Sequence, residues 1–167
     1  MNQGQLKLNS IHKKGFGLLE IIISIVIVGI IGSSLVQLGL VSLSLSQRSN
    51  DKTQAGFILQ ESVAAVKMLR NESWDANIAI LSAETDYYLV WDETSYSLTD
   101  TPQPLINNRY KRTIVFSNVL RNAQNDIDVS GTNDALTKKV TVSVEWPYKG
   151  GVKNEQVEFY IMNLFST

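Results

Sequence analysis

Lys13-Lys14-Gly15-Phe16-Gly17-Leu18-Leu19-Glu20, running straight into the apolar stretch Ile21 to Ile31, decides how this chain is read. Two lysines, a glycine, an aromatic residue and a single carboxylate precede a segment with no further charge until Arg48. As a helix, the 30 residues from Phe16 to Leu45 are about 45 Å long, at about 1.5 Å per residue. A hydrocarbon core is roughly 30 Å thick, so this helix can cross a bilayer and continue past it. Glu20 is the anomaly. An ionisable group at bilayer depth costs roughly 2.5–3.5 kcal/mol even on the lenient insertion scale, so its presence calls for a functional role.

Gly15, Phe16, Leu18, Leu19 and Glu20, then Ile21 to Ile31 with Gly29 inside, resemble the N-terminus of type IV prepilins. They resemble equally the pseudopilins of type II secretion and competence systems. The resemblance implies a membrane-embedded aspartyl peptidase that cuts between Gly15 and Phe16 and N-methylates Phe16. Glu20 then becomes the fifth residue of the mature chain. It also implies that Glu20 pairs with the new amine of Phe16 on an adjacent subunit. A buried carboxylate is unfavourable alone and tolerable beside an ammonium, so the pair would set axial register more than add strength. The simpler account of Glu20 is an acid that snorkels to the cytoplasmic interface.

Two departures from the family pattern stand out. Gly17 occupies a position where threonine is common, and no proline interrupts the helix, where many major pilins are kinked. Looser similarity to globular parts of prepilin-type proteins covers Gln60–Lys67, Arg70–Trp74 and Thr137–Trp146.

The 167 residues carry a net charge of −1 and no cysteine. Disulfides, thiol redox chemistry and thiolate metal sites are therefore excluded. The expected leader, residues 1–15, holds Lys7, Lys13 and Lys14 and no acid, leaving twelve basic and sixteen acidic residues beyond it. That mildly acidic remainder offers no basic face for nucleic acid. The lysine pair places the N-terminus in the cytoplasm and the bulk outside. An ordinary secretory signal is the rival reading, but its apolar region is about 7–15 residues and is cut behind, not before.

Beyond Leu45 the chain turns polar through Ser46 and Gln47 without a break. Ala55, Leu59, Ser62, Val66 and Leu69 recur at three- and four-residue spacing, widened by Ile58 and Val63. That is an amphipathic helix over 46–70 with one face for a sheet. One long helix to Arg70 is expected, with Gly32–Gly39 as the place for local unwinding.

Past Asn71 the period becomes two. Tyr87–Trp91, Tyr96–Leu98, Tyr110–Val119, Lys139–Trp146 and Glu155–Leu164 read as strands, with Pro147–Asn154 a hairpin connection and Asn118–Thr137 a polar loop. Val140, Val142, Val144 and Trp146 share one face, as do Val157, Phe159 and Ile161. The expected fold is α+β: residues 1–15 leader, 16–45 transmembrane and filament-core helix, and 46–167 a globular domain with an antiparallel sheet on the helix.

Gly29, Gly32, Ser33 and Ser34 form a small-residue patch, and Gly29 and Ser33 have the spacing that lets helices approach closely. Glycine is also simply common in membrane helices. His12, the sole histidine, lies in the leader, so neither a catalytic triad nor a histidine metal site is available in the domain. Asp126, Asp128, Asn133 and Asp134 could supply oxygens to calcium, but they lack the spacing of an EF-hand, and the plainer reading is a polar turn. Asn71-Glu72-Ser73 fits a glycosylation acceptor that recurs by chance. Trp74, Trp91 and Trp146 read as core or core-edge residues. No enzyme activity, metal or cofactor is expected.

The first functional expectation is a subunit of a type IV pilus or pseudopilus, the minor one by preference. Its partners are other pilin subunits, a prepilin peptidase/methyltransferase, an assembly platform protein and, before assembly, membrane lipid. It begins as a single-pass protein of the cytoplasmic membrane and ends in a cell-surface filament. The alternative is a membrane-anchored extracellular binding module that never polymerises.

Overall fold

The computed structural model describes residues 16–164. The leader, with His12 and Gly15, lies outside the described residues, as does the side chain of Phe16. One helix, α1, runs Phe16–Glu72, and the chain divides into two compact units between Arg48 and Ser49.

In the first unit α1 is unbroken through Gly32 and Gly39, so the expected loosening is absent from the isolated chain. Each interior glycine disfavours helix by about 1 kcal/mol relative to alanine, but propagation through flanking leucine, valine and glutamine outweighs it.

The second unit opens with the amphipathic stretch of α1. Ala55, Ile58, Ser62, Val66 and Leu69 are buried and Leu59 and Val63 half-buried, as the spacing predicts, and Ala65 is buried beside them. The helix ends at Glu72, two residues later than expected. The Leu69 carbonyl accepts from the Ser73 amide at 3.2 Å and from Asn77 Nδ2 at 3.0 Å, which satisfies one of the orphan groups of the helix end. A five-residue π-helical turn, Asp75–Ala79, follows. The sequence reading missed it. It returns Trp74 and Ile78 to the core.

The sheet is antiparallel: β1 Asp86–Trp91, β2 Tyr96–Thr99, β3 Lys111–Arg121, β4 Ile127–Asp128, β5 Thr132–Tyr148 and β6 Gly151–Met162. Its order is β2-β1-β3-β5-β6, with β4 paired to the end of β3. Alternation holds along β5 and β6: Val140, Val142, Val144, Trp146 and Ile161 are buried, and Val157 and Phe159 half-buried.

The stretch Asn118–Thr137 is not the loop expected. β3 continues to Arg121, β4 forms, and β5 starts at Thr132. At Asn118/Val119 the β5 partner jumps from Lys138 to Asp134, a bulge that breaks the alternation a strand would otherwise show. The polar residues serve local turns: Asn122 Oδ1 accepts from the amides of Gln124 and Asp126 at 3.0 and 2.9 Å.

The Pro147–Asn154 connection is also tighter than expected. Strand pairing continues to Tyr148↔Gly151, leaving Lys149 and Gly150 as the turn, with φ of 46° and 77°. Positive φ at both positions is the type I′ signature, whose twist matches the flanking strands. Pro147 fits because β3 stops opposite Glu145, so no third strand needs its missing N–H.

Trp91 departs from its expected place too. It is 52% exposed and lies on Tyr96 with ring centroids 4.7 Å apart, because it ends β1 where only the β2 partner faces it. Trp74 and Trp146 are buried as expected.

The core of this unit lies between the 55–69 stretch of α1 and the sheet. Phe116, Ile114, Val140, Val142 and Ile161 meet Val66 and Leu69, and Tyr87 sets its ring edge-on to Phe116 at 5.9 Å. A second cluster joins Ala55 and Ile58 to Tyr110, Val144 and Trp146. Arg112 ties helix to sheet: Nη1 donates to Glu61 Oε1 at 3.3 Å and Ser62 Oγ at 3.4 Å, and Nη2 to the Leu89 carbonyl at 3.2 Å. Gly131 closes the β4–β5 turn at φ 142°, where a Cβ would fall 2.0 Å from the Arg121 carbonyl oxygen.

Candidate assembly surface

Apolar side chains from Leu18 to Leu45 clothe the first unit, and in its most apolar 18-residue window no residue is buried. Leu18 and Val28 are each about 70% exposed, among leucines, isoleucines and valines that are all more than half or nearly half bare. Such continuous apolar surface is unstable in water and marks a segment that belongs in lipid or against protein. Among the described residues, one helix is long and apolar enough to cross a membrane.

Glu20 sits four residues after Phe16, the first residue of α1. Its side chain is exposed, and among the described residues no hydrogen bond or ion pair reaches its carboxylate. Its backbone carbonyl accepts from Ser24 Oγ at 2.7 Å. Glu20 is the one acid between Gly17 and Arg48. Gly15, and the amine that cleavage would create on Phe16, fall outside the described residues.

Gly29, Gly32 and Gly39 have open space where a Cβ would stand. The backbone is therefore accessible along this side of the helix, and a neighbouring helix has room to approach. Ser33 and Ser34 both donate to the Ile30 carbonyl, at 2.9 and 2.8 Å, and Ser44 donates to the Val41 carbonyl at 2.9 Å. With Ser24, four of the serine hydroxyls in the run are satisfied by their own helix, which suits a medium without water. Reading the serines only as small residues missed this. Their placement three or four residues after a carbonyl inside an apolar run is the signal that would have found it.

The other sequence candidates lie in the second unit. Asp134 Oδ2 accepts from Arg121 Nε at 2.6 Å, and its Oδ1 from the Leu136 amide at 2.9 Å. The Arg121 hydrogen bond, then that of Thr137, hold the Asp134 carboxyl below the usual carboxylate range. Asp128 Oδ1 accepts from the Val129 amide at 2.6 Å. These acids are committed to their own chain, and among the described residues no group of three metal-ligating side chains forms. An open polar cleft of about 660 Å³ is lined by Arg121, Asn133, Asp134 and Thr137 among others. Asn71 Oδ1 accepts from Arg70 Nε at 3.0 Å at the end of α1.

Comparison with known families finds the prokaryotic N-terminal methylation motif over residues 11–36. That segment contains Gly15, Phe16, Glu20 and Gly29, and it ends inside the apolar run. No curated protein and no solved structure matches the chain.

Proposed function

We propose, from the premise that this chain is a type IV prepilin/pseudopilin-type protein, that it is a structural subunit of a pilus or pseudopilus, assembled through residues 16–45 of α1. Proteins with this motif are structural rather than catalytic, and the motif implies processing by a prepilin peptidase and assembly with other pilin subunits. The observation that carries the reading is the bare apolar first half of α1, with one acid near its start that has no partner among the described residues.

In this reading the peptidase cuts between Gly15 and Phe16 and methylates the amine of Phe16. The hydrophobic effect first holds Ile21–Leu45 in the cytoplasmic membrane, with the N-terminus inside and the second unit outside. An assembly platform protein then transfers the helix into a bundle of its own kind, ending in a surface filament. Glu20 meets the Phe16 amine of a neighbour and fixes register. Gly29, Gly32 and Ser33 give the close approach. The lack of cysteine and of a helix proline favours a minor subunit over the main one.

Mass spectrometry of the chain co-expressed with a prepilin peptidase tests this. A methylated Phe16 terminus is expected. A chain that still begins at Met1 overturns it in favour of an anchored module that never polymerises.

A further inference from the structure

Among the described residues β6 pairs with β5 alone, so its other side is an open sheet edge. The opposite edge, β2, is four residues long. β6 runs twelve residues, Gly151–Met162, without a proline, without a register shift against β5, and with one lysine, near its start. Sheet edges are ordinarily shortened, bulged or charged, because their unpaired backbone groups accept another strand. The Asn163 amide donates to the Leu136 carbonyl at 2.8 Å, one step beyond the Thr137↔Met162 pair. Hydrogen-bonded pairs alternate along an antiparallel ladder, so the odd-numbered residues of β6 bond to β5. Asn154, Gln156, Glu158 and Tyr160 then point their N–H and C=O groups outward.

Side chains beside that edge are incompletely covered. Val142 and Val140 of β5 are fully buried, yet their register partners Val157 and Phe159 are only half-buried. Next to Val157 an open, mainly apolar groove of about 500 Å³ runs along α1, lined by Gly56, Leu59, Val63, Ala64 and Lys67. Gly56 to Lys67 covers about 17 Å of helix, the length of about five extended residues. A strand laid against β6 turns alternate side chains into this groove while its backbone takes the outward N–H and C=O groups.

Charge and fit select the occupant. Lys52 pairs with Glu155 at 3.1 Å and Lys139 with Glu158 at 2.9 Å, whereas Lys67 on the groove rim has no ion-pair partner among the described residues. Lys52 lies at the Glu155 end of β6, so Lys67, farther along α1, lies toward Ile161. Antiparallel pairing is the more stable kind, and an antiparallel strand begins at that end. A second copy supplies no such strand: β2 is shorter than the groove, and the inward side chains of β6 already lie on their own helix.

We propose that β6 and this groove are an acceptor site for an extended strand donated by a different protein, apolar at alternate positions and carrying an acid at its leading end. The site lies wholly within the second unit. It requires nothing of residues 16–45, so it stands or falls separately from the assembly reading.

The full-length chain in nonionic detergent is titrated against the probe Glu-Thr-Val-Thr-Val-Thr-Val, acetylated and carrying a C-terminal fluorophore, and binding is read by anisotropy. Saturable binding is expected, with slowed hydrogen exchange at the amides of Gln156 and Glu158 and none at Val157. Proline in place of the probe's central threonine removes a backbone bond to the edge and should weaken binding about tenfold. Gly56→Leu, placed where a Cβ meets open space, fills the groove and should weaken it about tenfold as well. Lys67→Glu should lower affinity about threefold and prefer a probe that begins with lysine by a similar factor.

Absence of saturable binding, indifference to the proline or to Gly56→Leu, or protection on β2 instead of β6 overturns the proposal. Edge amides that become protected without probe as protein concentration rises assign β6 to a second copy and also overturn it. The reversed charge preference of Lys67→Glu supports the site even if Gly56→Leu folds poorly, since an unfolded variant would bind neither probe.

Discussion

Glu20 and Gly131 show two ways in which one residue constrains this protein. Among the described residues Glu20 has no partner, and the proposed one comes from another subunit. Glu20→Gln and Glu20→Ala are expected to leave membrane insertion intact and to abolish incorporation into filaments, scored by comparing membrane and sheared fractions. Normal incorporation of both would remove the register role. Gly131 is required by geometry. A methyl group there collides with the Arg121 carbonyl in a backbone conformation that L-residues rarely adopt. Gly131→Ala should cost about 2 kcal/mol and lower Tm by roughly 8 °C. Gly150→Asn, in open space at a type I′ turn, should change Tm little. Asp134 supplies a pH signature. Its carboxyl lies below the unfolded value of about 3.9, so it stabilises the fold above that value, and the contribution is lost as pH falls through the folded value. Urea titrations should show a constant gap between the unaltered chain and Asp134→Asn from neutral pH down to about pH 5, closing below about pH 4. Glu20 could be singled out in the sequence because a charge in an apolar run is conspicuous. Asp134 could not be understood there, because its partner Arg121 is set by the bulge at Asn118.

Among the elements, α1 and β5 were the most readable and the turns the least. Three- and four-residue spacing marked the buried stripe from Ala55 to Leu69, and strict alternation marked Val140 to Trp146, because both faces are tied to a core. Between Asn118 and Thr137 the pattern vanished. Most side chains there are exposed or bonded to nearby backbone, so burial writes no period into the sequence. Trp91 was misplaced for a related reason: an aromatic at a strand end carries the composition of a core residue without neighbours to bury it. For α1 itself, the open glycine side makes a direct prediction. Gly29→Leu should insert into membranes as before, and its yield in sheared filaments should fall by about tenfold or more if close helix approach is used. Gly17→Ala, at the helix start where nothing lies within 4 Å, serves as the comparison.

At the scale of the molecule, the second unit holds its core within residues 55–161, from Ala55 to Ile161. A chain starting at Ser49 is therefore expected to be soluble, monomeric and cooperatively unfolding, as judged by urea denaturation and sedimentation, whereas the full chain needs detergent or lipid. A fragment that aggregates or lacks a transition would place essential contacts before Ser49. The α+β architecture was legible because a long uncharged run and an alternating C-terminal half leave few other solutions. Pilus and pseudopilus were not separable, since the same helix chemistry serves both. The serines of α1 carry one more implication. Because each hydroxyl of Ser24, Ser33, Ser34 and Ser44 is already quenched by its own backbone, swapping acyl chains for protein neighbours would break no hydrogen bond at these four positions. In the proposed passage from bilayer to bundle, the polar change would then be concentrated at Glu20, the acid that exchanges solvent or headgroup for a neighbour's amine.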